Sequence, residues 1–138
     1  MKKQWNYYGK SYIVKLLSLH ETPEAKMDLS NLTTYMIEEL FNDKAAIDFL
    51  SNYHDKMNSL RIFSFGYRST SFEYRGYEIR LKPFDSYNVF YIIDKDNNQI
   101  CVLRILKDLR DWKPIMSAFV AGKYVAENKA EYNQQEEV

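Results

Sequence analysis

The side chains with the clearest chemical potential are Arg80 and Lys82, two cations two residues apart in the run YEIRLKPF. Residues at i and i+2 of a strand point the same way, so an extended run brings the guanidinium and the ammonium out side by side. The run alternates as a half-buried strand does, with Tyr77, Ile79 and Leu81 on one face and Glu78, Arg80 and Lys82 on the other. Paired cations on an open face suit the stabilisation of charge that develops on a phosphate oxygen. The same pattern also fits the solvated side of an ordinary amphipathic sheet.

Composition narrows the other chemistries. No Cys and His cluster has zinc spacing, and with four glycines in total the chain has no Gly-rich loop to cradle a phosphate. No metal or cofactor is expected. Cys101 lies in the apolar run QICVLRIL, where a buried, inert thiol is expected, and the lack of a disulfide framework suits a reducing cytoplasm. His20 falls in a loop and His54 beside an apolar seam, so neither reads as a ligand or base. The N-terminal MKKQWNYYGKSYIVKLLSLH has an apolar stretch broken by Lys15 and reads as folded chain, and no run is long enough to span a membrane. Lys plus Arg and Asp plus Glu are both nineteen, so any contact with a polyanion must be local.

The elements that would position the two cations follow from periodicity. A first strand is expected over Ser11 to Leu17. Thr22, Pro23 and Glu24 then form a helix start, followed by an apolar stripe of Leu29, Leu32, Met36, Ile37 and Leu40. Asp43 is expected to cap a second helix with the seam Ala46, Leu50, Tyr53, Met57 and Leu60, and the short link makes the two helices an antiparallel hairpin. Residues 63–76 read as an irregular connection or an edge hairpin. Three antiparallel strands follow, at Tyr77 to Lys82, Tyr87 to Ile93 and Gln99 to Leu106, with DKDNN as the last turn. Asp111 and Pro114 open a C-terminal helix with Ile115, Met116, Phe119, Val120 and Tyr124 on its apolar side. The order implies an α+β, two-layer fold in one domain: an N-terminal strand, a helical hairpin, a three-stranded meander joining one sheet, and a final helix. Helices are expected over one face of the sheet, leaving the other partly open.

Two segments carry a family resemblance. Residues 28–66, DLSNLTTYMIEELFNDKAAIDFLSNYHDKMNSLRIFSFG, resemble the helical hairpin and its exit toward the sheet in bacterial RelE/ParE toxins. Residues 77–112, YEIRLKPFDSYNVFYIIDKDNNQICVLRILKDLRDW, are similar to that family's signature of an Arg- or Lys-bearing strand, a Tyr-containing apolar strand, and a V-L-R-I-L-type strand closing on Arg-Asp. The resemblance covers roughly residues 11–112 and implies one toxin domain over 1–138, with a C-terminal helix near 113–132 and a frayed tail. It implies a cytoplasmic toxin of a type II toxin-antitoxin module, with a cognate antitoxin as partner.

The family divides by mechanism, between toxins that cut mRNA on the ribosome without a metal and toxins that poison DNA gyrase without an RNA site. Should this chain belong to the first kind, the resemblance points to Arg80 and Arg110 as catalytic, with Lys82, Asn88, Lys107 and Lys113 as nucleic-acid contacts. Such cleavage needs the 2′-hydroxyl to attack the adjacent phosphate, a group to take its proton, and cations on the transition state. Ribosome-dependent cleavage is the leading expectation. Gyrase inhibition, or a non-toxic interaction module on the same scaffold, is the alternative. Departures weigh on the first: Asn88 stands where an Arg is frequent, Glu78 where a Lys is frequent, and the segment around Met116 lacks the Tyr or His-Tyr pair used for proton transfer, with Tyr124 too far along. Residues 60–113 hold ten basic against seven acidic residues, a modest surplus for docking among RNA phosphates.

Overall fold

A computed structural model describes residues 2–5, 11–14, 16–62, 64–108 and 111–136, with side chains described for 16–62, 64, 66–108 and 111–124. The chain order is β1 (Lys2–Trp5), β2 (Ser11–Val14), β3 (Ser18–Glu21), α1 (Pro23–Glu38), α2 (Asp43–Leu60), a 3-10 turn at Ser64–Gly66, β4 (Arg68–Tyr74), β5 (Tyr77–Phe84), β6 (Tyr87–Asp94), β7 (Gln99–Lys107) and α3 (Trp112–Glu136). The α+β class and the sequence of strand, helical hairpin, antiparallel strands and final helix are those expected.

The main sheet has five strands in the order β3-β7-β6-β5-β4, with β3 parallel to β7 and every other pair antiparallel. Its first strand is Ser18–Glu21, not the apolar run before it; Ser11–Val14 pairs instead with Lys2–Trp5 in a separate two-stranded ribbon. SLHE carries little apolar signal because it sits at the sheet edge, alternating exposed and half-buried. Residues 68–74 form the opposite edge strand, with a register shift between Ser69 and Glu73 where Ser71 takes φ 69°. That irregularity hides the period of two. Arg75 and Gly76, at φ 55° and 82°, make the tight turn into β5, a left-handed pair suited to a two-residue hairpin.

Helices cover both faces of this sheet. Along β6 the side chains alternate between two cores: Val89, Tyr91 and Ile93 pack with α1 and α2, while Phe90 and Ile92 pack with α3. The first core closes around Phe49 of α2, whose ring centroid lies 5.4 Å from Phe84 and 5.1 Å from Tyr87. The second closes with Trp112, 5.3 Å from Phe90, and with Met116 and Phe119. The partly open face is therefore occupied by α3, because Ile79, Leu81 and Leu103 present an apolar surface that water would not tolerate uncovered.

The helix stripes differ from expectation in detail. Ile37, Leu40 and Leu50 are exposed, and Phe49 takes the core position beside Leu50. Asn42, rather than Asp43, caps α2, its side chain accepting the Ala45 N–H at 3.0 Å. Tyr124 is exposed rather than on the packed side of α3, and α3 continues through Glu136, beyond the expected fray. Among the described residues, no helix is long and apolar enough to cross a membrane.

A small polar latch seats α1 on the sheet. The Thr22 N–H donates to the Val102 carbonyl at 3.0 Å, continuing the β3–β7 ladder, and its hydroxyl donates to Leu103 O at 2.7 Å while accepting the Ala25 N–H as helix cap. One turn on, the Asp28 carboxylate accepts from Arg104 Nε at 2.8 Å, Arg104 Nη2 at 2.9 Å and the Ile105 N–H at 2.9 Å. Two backbone carbonyls and one backbone N–H of β7, from Val102 to Ile105, are thus satisfied by the cap and early turns of α1. Replacing Asp28 by Ala leaves a largely enclosed guanidinium and a strand N–H without acceptors, and should lower stability by about 2–4 kcal/mol. A urea midpoint equal to that of the parent would contradict this; Asp28→Asn, which keeps an acceptor for Ile105, should lose less.

Candidate functional site

Arg80 and Lys82 do emerge on the same face of β5, as the alternation requires, but that face is the one beneath the α1–α2 layer. Arg80 pairs with Tyr91 across the ladder and Lys82 with Val89, both in the core that the hairpin covers. The segment leaving α2 crosses above them through the 3-10 turn. Its Tyr67 receives both cations: Arg80 Nη1 donates to the Tyr67 carbonyl at 2.8 Å, and Lys82 Nζ donates to the Tyr67 hydroxyl while lying 4.0 Å from the ring centroid. Lys82 is 5% exposed. Its ammonium is thus desolvated, and the phenol oxygen together with the negative face of the ring replaces the lost water.

Neighbouring groups fix this arrangement. The Tyr91 hydroxyl donates to the Ser64 carbonyl at 2.5 Å and ties the 3-10 turn to the sheet. Burial pushes the Tyr91 phenol well above the ordinary tyrosine range, with Tyr67 adding to the rise and Arg80 opposing it. It stays protonated at neutral pH and cannot serve as a base. Arg80 is partly open on its other side, where its Nη2 lies 3.4 Å from Glu78 and it borders a cavity of about 210 Å³ lined also by Gly76, Tyr77, Ile93 and Lys95.

The other predicted site residues that are described, Asn88, Lys107 and Lys113, do not join this pair. Asn88 is buried on the opposite face of the sheet, its amide donating to Asp108 Oδ1 at 3.0 Å, so it clamps the end of β7 to the start of β6. Lys107 is exposed at the end of β7, opposite Tyr87, and Lys113 is exposed in the first turn of α3 with Nζ 5.9 Å from the Trp112 ring. Arg110 lies outside the described residues. No cluster of three or more His, Cys, Asp or Glu suited to a metal occurs among the described residues.

Tyr67 was not legible as the partner of the two cations, because it follows Gly66 in a stretch without a period. Its aromatic character did not single it out, since Phe63, Phe65, Phe72 and Tyr74 fall in the same connection. Chemically, the cluster holds two cations engaged with Tyr67, the protonated Tyr91 phenol, and the half-exposed Glu78 carboxylate beside Arg80.

With the fold and this cluster in view, comparison with known proteins decides the family. A family model described as the ParE toxin of type II toxin-antitoxin systems, parDE, matches residues 19–112. The chain belongs to the ParE toxin family. It is therefore the toxin of a type II toxin-antitoxin module, for which the family implies an antitoxin partner. A solved chain from the chromosomal ParDE toxin-antitoxin system of P. aeruginosa is similar in fold, with a TM-score of 0.54 at 17% identity over 67% of this chain and 97% of that one. No curated protein sequence matches. In this ParE toxin the matched span runs from within β3 to the first residue of α3, so the β1–β2 ribbon and nearly all of α3 lie outside it.

The Tyr67–Lys82 contact can be tested as a closed polar pair. Tyr67→Phe removes the one hydroxyl that accepts from the buried ammonium and should cost about 1–3 kcal/mol. Adding Lys82→Met, which removes the charge at similar volume, should recover most of that loss in urea unfolding. Additive losses in the double variant would mean that Lys82 is hydrated and the cluster open.

Proposed function

We propose that this ParE toxin arrests growth by binding DNA gyrase and carries out no RNA cleavage. The observation behind this reading is the burial of Lys82 under the Tyr67 ring, with Arg80 bonded to the Tyr67 carbonyl. A phosphate could reach the Lys82 ammonium only if Tyr67 left its place, breaking the hydroxyl contact and exposing the aromatic edge of the core. Transition-state cations act through preorganised, accessible charge, and loss of one such donor costs about 3 kcal/mol, roughly a hundredfold in rate. Here Asn88 lies on the opposite face from the pair, Lys107 stands at the end of β7 and Lys113 in the first turn of α3. Cleavage further requires a proton acceptor, which the protonated Tyr91 phenol does not offer, and the nearby Glu78 carboxylate faces Arg80 rather than the enclosed Lys82.

Function by binding fits a domain in which both sheet faces are committed to packing. The antitoxin would then neutralise the toxin by covering or competing for a contact surface, with no active site to block. Pulse induction in a growing culture separates the two mechanisms. Primer extension on a translated message should show intact mRNA, while gyrase-linked DNA breaks and filamentation appear. Cuts found in the message only while it is translated, and lost in Arg80→Ala, would overturn the binding reading in favour of a ribosome-dependent nuclease.

A further inference from the structure

Five large apolar side chains gather around the α1–α2 turn without entering the core: Ile37, Leu40, Phe41, Ile47 and Leu50 are between 44% and 88% exposed. All fall within 14 residues centred on the turn, so they lie within on the order of 15 Å of it along two antiparallel helices. At roughly 100° per residue, Ile37 flanks the buried Met36 of α1, Leu40 follows in the turn just past the helix cap, and Ile47 and Leu50 share one flank of the stripe of α2. A concentration of this kind marks an interaction surface far more often than scattered single residues do. Phe41, the most exposed of the five, stands at φ 49°, a left-handed position that glycine fills most easily, and the Asn42 N–H closes the turn behind it on Met36 O at 2.9 Å. The chain therefore holds an aromatic ring in water at a position where no core contact requires one.

The charge around this patch selects its occupant. Glu38, Glu39, Asp43 and Asp48 surround it against a single Lys44, which is itself bonded to Asp48 at 2.8 Å. A second copy of the chain would bring an equally acidic rim against this one, which like-charge repulsion opposes. We propose that the α1–α2 turn docks an amphipathic helix of a partner protein whose apolar stripe is flanked by Lys or Arg, with Phe41 as the central anchor. Such a helix lays apolar residues at i, i+3, i+4 and i+7 over Ile37, Leu40, Ile47 and Leu50, while its basic flanks meet the four carboxylates. The inference is independent of whether the toxin acts on gyrase or on mRNA.

Two synthetic amphipathic peptides with the same leucine stripe, one flanked by lysines and the other by glutamates, test it by fluorescence anisotropy against the purified full chain. The lysine peptide should bind with a micromolar Kd, and its glutamate twin at least about tenfold more weakly. Phe41→Gly suits the positive φ and keeps the turn, yet should weaken the lysine peptide about tenfold or more, as removal of an interface anchor does. Ile47→Gln, on an exposed helix position, is the second variant and should weaken it in the same direction. Glu38→Lys with Glu39→Lys favours the end of α1 electrostatically and should narrow the preference between the twins. Equal affinity for the two peptides, undiminished binding to Phe41→Gly, or a concentration-dependent dimer abolished by Phe41→Gly would each overturn the proposal.

Discussion

The whole domain depends on a sheet that is buried on both faces. Along β6 every side chain from Asn88 to Ile93 is shielded from water, and the two strands flanking it share that enclosure through Ile79, Leu81, Val102, Leu103 and Ile105. In such an interior a polar or charged group is tolerated only where a partner replaces its water. The sheet meets this condition with groups distant in sequence, Tyr91 bonding the Ser64 carbonyl among them. Lys82 is received by Tyr67, Arg104 by Asp28, and Asn88 bonds Asp108. The polar residues that look most reactive in the strands are thus those most fully engaged in holding the layers together.

That constraint explains what could and could not be read from the residues alone. Period-two alternation over Tyr77 to Lys82, the apolar runs of β6 and β7, and the Thr22-Pro23 helix start are local signals, and each corresponds to the observed element. Alternation states that two faces of a strand differ in chemistry; it does not state that the polar face is open. Lys82 looks solvent-facing in sequence because its concealment is supplied by a tyrosine 15 residues earlier, in a connection with no period. The edge strand β3 is short and weakly apolar, and its pairing comes from backbone contact with β7, a long-range event with no local mark. Among the described residues of the expected site, Arg80 and Lys82 lie together, since strand geometry alone guarantees it.

Helix rotation was the other illegible quantity. Phe49 and Leu50 are adjacent, both apolar, and about 100° apart around the axis, so a stripe can be drawn through either. Ring packing decides between them: Phe49 reaches Phe84 and Tyr87, and Tyr53 lies 6.1 Å from Phe84, an aromatic cluster that a leucine cannot complete. Turning α2 to insert Phe49 carries Leu50 and Ile47 outward. The surplus of apolar residues in the hairpin is therefore a consequence of more candidates than core positions, and the unused ones remain where water meets them.

The boundary of the family match sharpens the point. It ends at Trp112, yet the second core is completed by Met116 and Phe119, which are 1% and 8% exposed within α3. In this toxin the face opposite the hairpin is closed from within the chain, by residues beyond the shared span. The outer edge at β4 is also a poor place for another strand to add, because its bulge at Ser71 interrupts the regular ladder. With both faces covered and one edge irregular, the end of the helical layer presents Ile37, Leu40, Phe41, Ile47 and Leu50 to a partner. The proposed docking surface then belongs to the element whose inner surface builds the first core, so the fit of Phe49 inside and the exposure of Ile47 and Leu50 outside are two results of the same helix rotation.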